Sequence, residues 1–151
     1  MARAIVRVLL GAFLILAGTG HLTFARAEFQ AQVPPWLPLD PDLVVVASGV
    51  VELVLGLALV LAPRRARPLV GVIVAAFFVA VFPGNIAQLV EGRDGFGLDT
   101  DAARAIRLLF QPLLVVAALW STGAWAAFRR RLRSGDPQTP TERSAHARHR
   151  P

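Results

Sequence analysis

The stretch Leu43-Val-Val-Val-Ala-Ser-Gly-Val-Val-Glu52-Leu-Val-Leu-Gly-Leu-Ala-Leu-Val-Leu-Ala62 holds one charged side chain among residues that are otherwise apolar or small. At about 1.5 Å of rise per residue, a helix of that length covers roughly 30 Å, the thickness of a bilayer's hydrocarbon core. Three further stretches read the same way: Ala4 to Gly20, Leu69 to Val90 and Ala105 to Phe128. The fold class that follows is all-α, an integral membrane four-helix bundle.

Composition points in the same direction. Of 151 residues, 55% are hydrophobic and 17% charged, too apolar a balance for an ordinary soluble domain of this size. Cysteine is absent, which removes disulfides, thiol electron transfer and thiolate metal sites, so a redox role would need a cofactor or a partner. All sixteen basic residues are arginine, a bias that points to a GC-rich bacterial genome. The net charge of +6 does not indicate nucleic acid, because the arginines cluster between the apolar stretches. No nucleic-acid partner is expected.

Those clusters report topology. Arg3 and Arg7 precede span one, Arg64, Arg65 and Arg67 fill the second connection, and Arg129, Arg130, Arg131 and Arg133 follow span four. All three places lie on one side of an even-numbered bundle, and cytoplasmic segments are the ones that retain arginine. The N- and C-termini are therefore expected in the cytoplasm, in a multi-pass protein of the bacterial inner membrane. The expected division is a membrane domain over 1–133 and a disordered cytoplasmic tail over 134–151. The arginine cluster after span four reads as a stop-transfer anchor that also suits anionic headgroups. Ala25-Arg26-Ala27 imitates a signal-peptide cleavage site, but it lies behind polar Thr19, His21 and Thr23, and cleavage would leave an odd number of spans; span one is expected to stay.

Ionisable and amide side chains within hydrocarbon are costly and usually face the bundle interior. Six occur here: His21, Glu52, Asn85, Gln88, Arg107 and Gln111. With this topology Glu52 lies roughly 14 Å below the outer surface. The other five lie closer to it, so all six fall in the outer half, with no comparable group expected in the inner half. Their helical faces agree. Gly11, Leu14, Gly18 and His21 form one stripe; Gly49, Glu52 and Gly56 another; Arg104, Arg107 and Gln111 a third; and Phe78, Phe82 and Asn85 with Gln88 or Leu89 nearly a fourth. Glycines on such stripes let helix backbones approach closely. The six are the ligand-binding candidates, with no catalytic residue and no metal site assigned. Two readings stand: structural glue, with Glu52 paired to Arg107, or a ligand or proton site in which a protonated Glu52 donates to a group such as a quinone carbonyl.

Pro83 removes the donor to the carbonyl of Val79 and opens its helix. Val33-Pro-Pro-Trp-Leu-Pro38 cannot be regular helix and reads as a lid-like or interfacial segment over the polar cluster. Phosphate-binding loops, Cys-x-x-Cys, His-Glu-x-x-His and a plausible serine triad are all missing.

Gly18-Thr-Gly-His21 with Phe24, Val33-Pro-Pro-Trp-Leu-Pro38, Ser48-Gly-Val-Val-Glu52 with Gly56, Phe82-Pro-Gly-Asn85 and Arg107-Leu-Leu-Phe-Gln111, in that order, resemble the DoxX-like family of bacterial membrane proteins over about residues 5 to 128. The resemblance implies a four-helix membrane bundle; the family takes its name from the small subunit of a thiosulfate:quinone oxidoreductase, and some relatives are linked to oxidative-stress or thiol-redox assemblies. It implies a quinone or redox-partner role, with His21, Glu52, Asn85, Arg107 and Gln111 at the matching positions. That family often has a proline between the last motif's arginine and glutamine, where Leu109 or Phe110 stands here. The lack of cysteine separates the chain from the thiol chemistry of the related vitamin K epoxide reductase bundles.

The function favoured at this point is an accessory subunit of a membrane redox system rather than a stand-alone enzyme, holding a quinone or other small ligand without a covalent bond. Its partners would be the lipid bilayer, a membrane or peripheral redox protein, and further copies of itself as a homo-oligomer. The alternative is a non-enzymatic membrane scaffold or assembly factor.

Overall fold

The structure, a computed structural model, describes residues 1–95 and 100–134. Its elements are α1 (Ala2–Leu22), α2 (Arg26–Gln30), α3 (Pro41–Leu61), α4 (Arg67–Val90), α5 (Asp101–Thr122) and α6 (Ala124–Ser134). Four of them, α1, α3, α4 and α5, are long and apolar enough to cross a membrane, so the chain is a multi-pass membrane protein.

The fourth span departs from its expected limits of 105 and 128. It starts earlier because the Thr100 side chain accepts from the Ala103 amide and caps a helix that opens at Asp101. It ends earlier because Gly123 takes a left-handed conformation at φ 77°, which terminates α5 and lets α6 begin in a new direction. Asp40 caps α3 in the same way as Thr100, accepting from Leu43, with Pro41 in the first turn. The tail expected to be disordered lies, from residue 135 onward, outside the described residues.

The long helices form two pairs, α1 along α3 and α4 along α5. The first pair closes on its glycine stripes. A Cβ at Gly18 would stand 2.6 Å from the Gly49 carbonyl oxygen, and one at Gly56 would stand 2.7 Å from that of Gly11. Only backbones without side chains approach so closely. In the second pair Gly71 leaves the space that Thr122 fills. Leu10, Leu14, Leu55, Leu59, Val74, Phe78 and Ala118 pack between the pairs as the core.

One end of the bundle is arginine-rich and has no acidic residue among the described residues. Arg3 lies over the Trp120 ring, 5.6 Å from its centre. Arg7 corrects an expectation: it is buried in α1 rather than flanking a span, and it donates to the carbonyls of Leu59 and Val60, the latter at 3.0 Å. A cation over these last carbonyls of α3 complements the helix dipole. With Ser121 and Thr122 also buried, that half is not devoid of polar groups.

The opposite end is knitted by its connections. Arg26 forms a two-pronged pair with Asp42, which also accepts from Gln30 at 3.2 Å, and this hydrogen bonding raises the Arg26 pKa further. Arg93 donates to the Val33 carbonyl at 2.9 Å. Gln32 packs directly on α4 beside Pro83, since a Cβ at Gly84 would meet the Gln32 carbonyl oxygen at 2.5 Å. The first connection thus lies across the helix ends, Gln32 against Gly84 of α4 and the Val33 carbonyl held by Arg93.

Candidate functional site

Between the two helix pairs, beneath that connection, lies a cavity of about 350 Å³. Phe13, Phe77, Phe78 and Phe110 supply much of its wall, and Phe29 and Gln32 of the first connection overhang it. Five of the six candidate residues line it: His21, Glu52, Asn85, Arg107 and Gln111. Gln88 does not. It is 1% exposed and sits behind the cavity, accepting from Arg107 and donating to the Arg93 carbonyl, each at 3.4 Å.

His21 and Glu52 face each other across the α1–α3 contact, 7% and 8% exposed. The His21 Nδ1 stands 3.0 Å from the Val45 carbonyl. A carbonyl only accepts, so Nδ1 carries a hydrogen and the neutral ring presents a lone pair at Nε2. That nitrogen is 3.5 Å from Glu52 Oε2, a buried oxygen with no hydrogen-bond partner. At that length the contact is a juxtaposition of charge-bearing groups, not a formed hydrogen bond. The two atoms can share one proton, as imidazolium with carboxylate or as neutral ring with carboxylic acid. Phe29 stacks on the imidazole, its ring centre 3.4 Å away. The side chain closest on Glu52 is thus His21; Arg107, the partner in one of the two sequence readings, lines the same cavity and its charge acts on the carboxyl.

The amides do different work. Asn85 donates to Gln111 Oε1 at 3.2 Å, and Gln111 donates to the Phe78 carbonyl. This chain ties α4 to α5 where both carry an interior proline, Pro83 and Pro112. Pro112 directly follows Gln111, so this turn does contain a proline, placed after the glutamine rather than before it. The anchor also falls on Phe78 rather than on the Val79 carbonyl that Pro83 leaves without its helical donor.

Several site residues lay outside the candidates. Ser48 lines the cavity one turn before Glu52, and Phe29 of α2 and Gln32 just beyond it reach in from the first connection, whose path hydropathy cannot trace. Arg104 is 6% exposed and holds Asp94, Asp101 at 2.8 Å and the Arg93 carbonyl at 3.2 Å, closing the end of the bundle above Arg107. Its place on the Arg107–Gln111 stripe was the available signal. No group of three or more His, Cys, Asp or Glu side chains gathers to hold a metal among the described residues.

A second hollow, of about 420 Å³, runs between α1 and α5 beside the first and shares Phe13, Ala17, Phe29 and Arg107 with it. Its outer rim includes Leu16 and Phe24, 64% and 76% exposed on the apolar surface a bilayer would cover.

A family model described as a domain of unknown function (DUF8561) matches residues 10–122. The match contains every residue lining the central cavity and stops before α6. No curated protein and no solved structure matches the chain.

Proposed function

The chain belongs to the DUF8561 family, whose description names no activity, and from its geometry we propose that it holds a quinone or similar lipid-soluble ligand as an accessory subunit of a membrane redox system. The observation that carries this reading is Glu52 Oε2, buried, without a hydrogen-bond partner and set against His21 Nε2 at the wall of an aromatic cavity. A buried polar atom left unsatisfied costs about 1–3 kcal/mol, which a ligand's hydroxyl or a proton shared with His21 would relieve. A ligand carbonyl would instead accept from the protonated form of the pair or from Arg107. The volume lies at the small end of the ~300–1,000 Å³ of small-molecule pockets. It accommodates a ring headgroup, with an isoprenoid tail leaving through the hollow between α1 and α5. The DoxX-like motifs support the same class of ligand. The arginine-rich end supports a cytoplasmic location for both termini, in a bacterial inner membrane.

The test is purification in mild detergent from cells containing ubiquinone or menaquinone. Near-stoichiometric quinone is expected with the wild-type protein and loss of it with Glu52→Gln, at unchanged helicity by circular dichroism. A wild-type protein without quinone, or a variant that retains it fully, overturns the proposal. The scaffold reading draws on the Asn85–Gln111–Phe78 chain, which is satisfied within the protein and needs no ligand. It requires Glu52→Gln to lower stability while leaving every bound partner unchanged.

A further inference from the structure

Gly123 turns the chain out of the last span, and the eleven residues that follow form a helix of unlike composition. In α6, Trp125, Phe128 and Leu132 recur at i, i+3 and i+7, one stripe along the helix. They are 57%, 60% and 63% exposed, so no other part of the described protein covers them. Arg129 and Arg133 flank the stripe on one side and Arg131 on the other, with Arg130 behind. Ala124 and Ala127 turn toward the beginning of α4, where Pro68, Leu69 and Val72 join Phe128 and Arg131 around a hollow of about 300 Å³.

A helix with an apolar stripe, a basic remainder and an interfacial tryptophan, tethered one residue from the end of a span, has the chemistry of a helix lying in the plane of the membrane surface. Arg3, Arg64, Arg65 and Arg67 crowd the same end, and no described acidic side chain is there to neutralise them. We propose that α6 lies in the headgroup layer and that its arginines, with the hollow against α4, form a site for an anionic glycerophospholipid, one acyl chain beside Phe128 and Leu69 and the headgroup phosphate at Arg131. The occupant is specified by charge complementarity: the described residues of this end carry arginines and no carboxylate, and a zwitterionic lipid offers the same tails without a net negative charge. The inference is independent of the ligand in the central cavity.

The cysteine-free sequence makes the test direct, because single cysteines can be introduced and spin-labelled without background. Labels at 125, 128 and 132, in proteoliposomes containing phosphatidylglycerol, are expected to be accessible to oxygen and shielded from a water-soluble nickel chelate. Labels at 126, 130 and 133 are expected to show the opposite. Equal exposure of both sets to the chelate overturns the interfacial placement. For the site, protein equilibrated in equal phosphatidylglycerol and phosphatidylcholine is expected to retain the anionic lipid in excess, by about fivefold for each interfacial arginine engaged. The excess should vanish in R129Q/R130Q/R131Q/R133Q and persist in the matching lysine variant. Displacement by millimolar inorganic phosphate, or equal retention of both lipids by the wild-type protein, overturns the lipid site.

Discussion

Gly49→Ala adds one methyl group at the tightest crossing of α1 and α3, and the structure states what it meets. The new carbon would stand 2.6 Å from His21 Cβ and 3.1 Å from the Gly18 carbonyl oxygen. Non-bonded carbons rest at about 3.5–4.0 Å, so roughly 1 Å must be found. Part of the obstacle is backbone, which cannot rotate away; the helices must separate or His21 must shift. Overpacking of this kind costs about 1–3 kcal/mol. The same displacement lengthens the 3.0 Å contact between His21 Nδ1 and the Val45 carbonyl beyond the ~3.2 Å limit of an N–H···O bond. The substitution should therefore lower stability and loosen His21 together. Unfolding titrated with sodium dodecyl sulfate in mixed micelles measures the first effect. Ala47→Val, on the exposed face of the same helix and adding more atoms, should stay within about 0.5 kcal/mol of wild type. Gly18 shares the contact, so Gly18→Ala combined with Gly49→Ala should cost less than the sum of the two. If Gly49→Ala proves as stable as Ala47→Val, the close crossing is wrong, and the placement of His21 against Glu52 falls with it.

Two further outcomes follow from the connections around the site. Gln111→Leu removes the acceptor of Asn85 and the donor to Phe78, and in the same titration should cost about 0.5–1.5 kcal/mol, the range of hydrogen bonds between membrane helices. Arg104→Gln loses two carboxylate contacts, but Asp94 and Asp101 are 78% and 85% exposed and stay hydrated, so the effect should be near 1 kcal/mol; it should appear as about fivefold faster amide hydrogen exchange around Gly92 to Gly95 with little change in global unfolding.

What the sequence disclosed and what it withheld separate along physical lines. Hydropathy reports transfer into hydrocarbon, so the four spans were legible to within a few residues except where a cap or a left-handed glycine decided the end. Thr100 and Gly123 are such decisions, and α6 was hidden because Ala124 to Phe128 continues the apolar run past the break. Helical periodicity placed Gly11, Gly18, Gly49 and Gly56 on facing stripes, and those stripes meet. Periodicity says which face a residue occupies, not which neighbour it reaches. Charge alone left Glu52 either paired with Arg107 or protonated, and it is the approach of α1 to α3, set by glycines with no charge at all, that brings His21 to the carboxyl. Arg7 illustrates the converse error. Counted as a flanking charge, it is drawn inside by the unpaired carbonyls at the end of α3.

The two pairs also assign different work to the polar groups. Asn85 and Gln111 are spent within α4 and α5, fastening a pair whose helices are both interrupted by proline, and Gln88 braces Arg107 from behind. The α1–α3 pair needs no such fastening, because its glycines already hold the backbones together. His21 joins the two helices only through its Nδ1 bond to the Val45 carbonyl, and Glu52 Oε2 makes no hydrogen bond at all. A chain selected only for a stable bundle would have little reason to keep a carboxyl there, since an apolar residue of similar volume is often as stable or more so. Of the cavity's polar lining, Asn85 and Gln111 are thus engaged with each other and with Phe78, while the His21–Glu52 pair and Arg107 are the groups left to meet a ligand under the proposed reading.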